Sequence, residues 1–124
     1  MHTTLVIDPL EIFTNQTLDI AGGAVSSLES DPVPVRMLTK LYVFASNSGT
    51  STSCTVAIHG KPSETSLVSS TLEVFTLAAG SEQVPFSLGK YVDGIPSYIF
   101  AVITNADATE GHTAIITVTL DMVR

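Results

Sequence analysis

Tryptophan is absent from this 124-residue chain, and cysteine occurs once, as Cys54. A lone cysteine closes no disulfide within the chain, so the fold must rest on an apolar core. Basic residues are scarce: five Lys and Arg stand against twelve Asp and Glu, for a formal net charge of -7. A nucleic-acid binder needs a basic footprint to displace counterions from phosphates, and an anionic membrane surface asks for the same. The balance therefore argues against nucleic acid and membrane as partners. Charge of either sign is low, at 14% of residues, where an ordinary soluble domain carries roughly 25%. Every apolar run falls short of the about 20 residues that a membrane-spanning helix requires. The opening residues, Met1-His2-Thr3-Thr4, have neither the charged start nor the apolar run of a secretion signal. The expectation is a protein made and folded in a cytoplasm, where the triplet Asn15-Gln16-Thr17 is a chance match to a glycosylation acceptor.

What is present is apolar and hydroxylated. Hydrophobic residues make up 44% of the chain and the mean hydropathy is +0.39, the opposite of a disordered profile. The length fits one domain, residues 1–124, with a single core. Ser and Thr stand where charge would normally cover the surface, for example Ser26, Ser27, Ser46, Ser48 and the run Thr50-Ser51-Thr52-Ser53. A positive mean hydropathy in so small a domain implies apolar surface hidden by another subunit, so self-association is expected. Residues 1–20 are the candidate contact arm, since Leu5 to Ile20 join apolar residues to an early proline, Pro9, ahead of a Gly22-Gly23 turn.

Alternation with a period of two runs through the chain, punctuated by Gly, Pro, Asn, Asp and Ser. From Ala114, the residues Ile116, Val118, Leu120 and Met122 share one face, with Thr117, Thr119 and Asp121 on the other. Tyr98 to Ile103 is apolar on both faces and reads as a central strand buried between layers. Thr104 to Gly111 reads as a hairpin-like loop between the two. Val35 to Ala45 points Val35, Met37, Leu41 and Val43 inward and Arg36 and Lys40 outward; Cys54, Val56 and Ile58 form the next inward row after an Asn47-Ser48-Gly49 turn. Gly60-Lys61-Pro62 ends that strand, and Pro85 makes the strand of Val84, Phe86 and Leu88 an edge or a bulge. Leu5-Val6-Ile7 and Leu18-Asp19-Ile20 are two further short candidates, and Asp31-Pro32-Val33-Pro34 an extended connector. Leu67, Thr71, Leu72 and Phe75 fit a helical face, yet Ser69, Ser70 and Thr71 are indifferent helix formers, so Leu72 to Leu77 is read as a strand. About eight strands at this spacing predict an all-β, two-sheet antiparallel β-sandwich, jelly-roll-like in architecture.

No catalytic, cofactor-binding or metal-ligating residue emerges. His2, His59 and His112 lie at no zinc-ligand spacing and have no cysteine beside them. Glu110-Gly111-His112 reads as a solvated loop end, and Asn105 to Glu110 lacks the acidic density and sixth-position glycine of an EF-hand loop. No serine sits in a Gly-x-Ser-x-Gly elbow, Gly22-Gly23 is a turn rather than a phosphate cradle, and the acids are scattered. An enzyme is not expected. A sugar-binding module would present aromatic platforms, but Phe44, Phe75, Phe86 and Phe100 fall at expected core positions. Only Tyr91, between Gly89 and Gly94, lies in an obvious loop.

Tyr98-Ile99-Phe100-Ala101-Val102-Ile103-Thr104-Asn105-Ala106-Asp107, followed by His112-Thr113-Ala114-Ile115-Ile116-Thr117-Val118-Thr119-Leu120, resembles the closing strands of small all-β structural proteins of tailed bacteriophage virions. The Val43 to Ile58 pair, with its Asn47-Ser48-Gly49-Thr50 turn, is similar too. The resemblance covers about half the chain in generic β-turn-β features. It implies a capsid decoration or cement protein: a β-sandwich, commonly a homotrimer, bracing the outer capsid against the major capsid protein, located in the virion and assembled in the host cytoplasm. It implies no cofactor. A tail or baseplate accessory protein fits the same residues, and a β-sandwich carbohydrate- or ligand-binding module is the alternative.

Overall fold

Branched and aromatic side chains alternating with Ser and Thr suit a pleated, half-buried surface, and most of the described residues are strand. The structure, a computed structural model, describes residues 7–19, 26–35, 40–87, 97–107 and 109–123. Among the described residues nine strands follow one another: β1 (Ile7–Asp19), β2 (Ser27–Glu29), β3 (Val33–Pro34), β4 (Lys40–Asn47), β5 (Cys54–Lys61), β6 (Ser70–Leu77), β7 (Ser81–Ser87), β8 (Tyr98–Asn105) and β9 (Thr113–Val123). One sheet runs β1-β9-β4-β7 and the other β2-β8-β5-β6, with β3 also on β8. Every pairing is antiparallel. Because β2 and β3 lie along the same strand β8, they act as two pieces of one edge, broken at Ser30 to Pro32. The result is two four-row sheets with the chain crossing between them repeatedly, a jelly-roll sandwich.

The inward rows are the ones alternation marks. Leu41 and Val43 of β4, Cys54, Val56 and Ile58 of β5, and Ile116, Val118 and Leu120 of β9 are all fully buried. Fully burying a side chain of this size contributes about 1.5–3 kcal/mol, so these rows carry much of the driving force for closing the sandwich. β6 covers Ser70–Leu77, as a strand rather than a helix.

Several sequence-based expectations change in tertiary context. Ile7 of the first amino-terminal candidate and Leu18-Asp19 of the second lie on one continuous strand. β1 pairs with β9 from Ile7↔Val123 to Asp19↔Thr113, interrupted by irregularities between Glu11 and Phe13 and between Phe13 and Gln16. Asn15 takes a left-handed φ of 47°, a conformation that asparagine tolerates better than most residues. Residues 7–19 of the expected contact arm are therefore docked in their own sheet; residues 1–6 and 20, and the Gly22-Gly23 turn, lie outside the described residues. Thr104 to Gly111 and Asn47 to Thr50 do not close hairpins, because β8 and β9, like β4 and β5, belong to different sheets. Val35 lies just past β3, outside the strand, and is partly buried against the core, so it does not share a row with Leu41 and Val43; Arg36 and Met37 lie outside the described residues. β8 is central within its sheet, but its second face looks out of the sandwich. Phe100 is 5% exposed there because the His59 ring stacks on it, not because a third layer covers it. Phe44, expected in the core, is 37% exposed, being the outward neighbour of the inward pair Val43 and Ala45.

Candidate functional site

One end of the sandwich is built around two asparagines. Asn47 and Asn105 occupy the last inward positions of β4 and β8, where alternation continues Leu41, Val43, Ala45 and Ile99, Ala101, Ile103. Both side chains are buried, at 1% and 0% exposure. A buried amide must find partners for its donors and acceptor, and these do. The Asn47 amide donates to the Thr52 carbonyl at 2.9 Å and accepts from the Gly49 N–H at 3.0 Å. Asn105 donates to the Leu18 carbonyl at 3.0 Å and accepts from the Thr52 hydroxyl at 3.1 Å and the Asp107 N–H at 3.1 Å. The β4–β5 crossing is pinned against β9 as well, by Ser48 N–H to the Ile115 carbonyl at 2.8 Å. Thr113 adds two bonds, from its N–H to the Ser51 hydroxyl at 3.2 Å and from its hydroxyl to Asp19 at 2.8 Å. These bonds hold four strand ends and two crossing loops in one arrangement.

The loop after β8 closes on itself. Asp107 accepts the Thr109 N–H at 2.8 Å through one oxygen and pairs with His112 Nδ1 through the other. Thr109, and then His112, hold the Asp107 carboxyl down to about 2 from its ordinary 3.8. The oxygens of Asn105 and Asp107 considered for calcium thus accept from the protein's own donors. A carboxylate with a depressed folded-state pKa adds stability above its unfolded pKa and loses it as pH falls through the folded value. The difference in melting temperature between wild type and Asp107→Asn should accordingly be constant above about pH 4 and shrink as pH falls towards 2. A difference that instead stayed flat down to pH 2 would remove Asp107 from the account.

The opposite end carries a shallow cleft of about 300 Å³, lined by Gly60, Lys61, Pro62, Val68, Ser69, Ser70 and Ser97. Beside it on the outer face of the β8–β5 pair, the His59 ring stacks on Phe100 at 5.1 Å, and Lys61 Nζ lies 5.3 Å from the Phe100 centroid. His59 also shares a 3.3 Å hydrogen bond with the Thr71 hydroxyl. The loop from β5 to β6 leaves Leu67 fully exposed and Val68 74% exposed, and Val74 on β6 is 50% exposed.

His59 and His112 sit towards opposite ends of the sandwich, and no three His, Cys, Asp or Glu side chains gather at metal-binding distance among the described residues. Cys54 is buried, and burial pushes its thiol up to about 12, far from the activated range of a nucleophile. His2 and Tyr91 lie outside the described residues, as does the Phe86 side chain. Sequence reasoning missed the two buried asparagines, although their inward position in each alternating row was there to be read. It also missed the His59–Phe100 stack, which depends on cross-strand register.

Neither a comparison with protein-family models nor one with curated proteins finds a match. Among solved structures, a chain in the structure of infectious bursal disease virus, Gx strain, superposes with a TM-score of 0.57 at 13% identity over 98% of this chain. The match spans 32% of that chain, so this protein corresponds to about a third of its length. PirA aligns over 99% of this chain and 97% of its own at 9% identity, with a TM-score of 0.42. A family 16 carbohydrate-binding module aligns over 82% of this chain and 70% of its own at 16% identity, with a TM-score of 0.40. At these identities the likeness to the virus chain is one of fold, and the chain is an all-β sandwich similar in architecture to part of a virus protein.

Proposed function

We propose that the protein is a non-enzymatic structural component of a virion, a decoration or cement protein that braces the outer capsid as a homotrimer bound to the major capsid protein. The observation that carries this reading is the surface: exposed Leu67, Val68, Val74 and Phe44 on faces otherwise rich in Ser and Thr. Leu67 and Val68 adjoin in the β5–β6 loop; a contiguous apolar patch, unlike single scattered side chains, marks a protein contact surface, and contacts of this kind can be repeated by symmetry across a lattice. The jelly-roll likeness to a virus chain supports the same reading, as does the loop resemblance to phage virion proteins. A fold rigidified at one end by buried amides suits a part that transmits load rather than one that turns over substrate. Location in the virion, after assembly in a host cytoplasm, belongs to this proposal.

Mixing the purified protein with capsid shells of a tailed phage and sedimenting them is the test. Saturable co-sedimentation, together with a trimer mass by light scattering, is the expected result. Protein left in the supernatant at every shell concentration would refute the proposal. A ligand-binding module is the second reading, favoured by the cleft at Lys61, Ser69, Ser70 and Ser97 beside the Phe100 stack. One cation, several hydroxyls and an apolar wall suit a carboxylated sugar, and calorimetric titration with a uronic acid distinguishes it from the first.

A further inference from the structure

Lys61 stands at the junction of two surfaces. It lines the shallow cleft, and it also opens the outward row of β5, opposite Tyr98 of β8. Among the described residues the one ion pair joins His112 to Asp107, so the Lys61 ammonium has the Phe100 ring beside it and no carboxylate. Acids outnumber bases in this chain by twelve to five, yet none of the described ones neutralises this cation. The rows beyond Lys61 are set by register. His59 lies opposite Phe100 and Thr71, Ala57 opposite Val102 and Val74, and Thr55 opposite Thr104 and Thr76. Residues opposite one another in a ladder share a face, so each set forms one row across three strands. Ala57 is the smallest side chain of its row, and the two valines on either side make it the floor of an apolar trough. The last row is all hydroxyl, and Ser27 of β2 continues it, 3.0 Å from the Thr104 hydroxyl. From Lys61 to Thr55 along β5 is about 20 Å at the usual rise of a strand. Glu29, opposite Val102 at the β2 edge, puts a negative charge beside the trough.

We infer that the cleft and the trough form one binding surface for a glycan chain, with a carboxylated sugar at one end and neutral sugars behind it. The inference rests on the ligand-binding reading of the cleft and extends it. Charge sets the order. The carboxylate belongs at Lys61, while Glu29 and the net charge of -7 repel a second one further along. An apolar floor accepts the C–H face of a neutral ring, and hydroxyls that both donate and accept match the ring's own hydroxyls. A single acidic sugar is too short to reach from the cation to the hydroxyl row, so the distance asks for a chain. An extended peptide would ask for a sheet edge to pair its backbone, which the middle of a face lacks.

Calorimetric titration with three probes tests this: glucuronic acid, xylotriose, and glucuronic acid joined to xylotriose. The joined compound is expected to bind about tenfold or more tightly than glucuronic acid, since each half raises the local concentration of the other. Lys61→Met should bring it down to the level of xylotriose. Ala57→Leu fills the trough from an outward position and should bring it down to the level of glucuronic acid, whose own binding stays unchanged. Circular dichroism checks that both variants keep the sandwich. Equal binding of joined and free glucuronic acid, with Ala57→Leu silent, would overturn the chain inference and leave the cleft reading standing. No binding of any probe at millimolar concentration overturns both.

Discussion

Replacing Asn105 with alanine is expected to destabilise the protein by about 3 kcal/mol, read as the loss of unfolding free energy in urea. The side chain is fully buried and connects three segments, its own strand end and following loop, the end of β1, and the β4–β5 crossing. It donates to the Leu18 carbonyl at the end of β1 and accepts from the Thr52 hydroxyl and the Asp107 N–H. Truncation strands all three partners, and an unsatisfied buried polar group costs about 1–3 kcal/mol. Water entering the gap would recover part of that sum. At this chain length such a loss corresponds to a fall of about 10–15 °C in melting temperature. Asn105→Asp keeps the acceptor but gives up the amide donor and adds a charge, so it should be at least as damaging near neutral pH. If Asn105→Ala unfolded within about 0.5 kcal/mol of wild type, in the range of an ordinary surface substitution, the buried amide would not be what organises this end of the sandwich.

Gly49→Ala is expected to cost a similar amount, about 3 kcal/mol, through overpacking. A Cβ at Gly49 would stand 2.6 Å from the Thr113 carbonyl oxygen and 2.9 Å from the Ala114 Cα. Both are backbone atoms of β9, which is paired on each side with β1 and β4 and has little room to give way. The crossing loop would have to lift, breaking the Ser48 bond to Ile115 and moving the N–H that Asn47 accepts. Gly111 is the contrast. It has a left-handed φ of 84° but open space around it, so Gly111→Ala should cost only about 1 kcal/mol of backbone strain. Urea denaturation of both variants gives the comparison, and Gly111→Ala more damaging than Gly49→Ala would contradict the packing described for the crossing.

The two asparagines show how much of this was legible. In β4 and β8 the inward positions run apolar until the last, and the last is asparagine in both. A pattern reader sees an inward polar residue at a strand end, which is also where turn chemistry puts asparagine, and the turn explanation comes first. Only the meeting of the two strand ends, through Thr52, shows that the residues are buried and that they hold the crossings. Phe100 and Phe44 make the converse case. Both look like core from composition, yet alternation puts them outward of Ile99 and Val43. One is then hidden by a cross-strand histidine and the other left partly in water.

The strands β4, β5 and β9 and their inward faces were therefore decided by the sequence itself, because a pleat alternates with a period of two and each of these strands carries that signal in its own residues. The stops at Gly60-Lys61-Pro62 and the all-β class follow from equally local chemistry. Which sheet each strand joins was decided only in tertiary structure. Asn47 to Thr50 and Thr104 to Gly111 have the composition of hairpin turns, and they became crossings because their flanking strands found other partners, β9 and β7 for β4, β8 and β6 for β5. Those pairings join residues far apart in the chain. The choice between a turn that folds a strand back beside its predecessor and one that carries it over the core depends on where the whole apolar surface is buried best, and no short stretch of sequence contains that comparison.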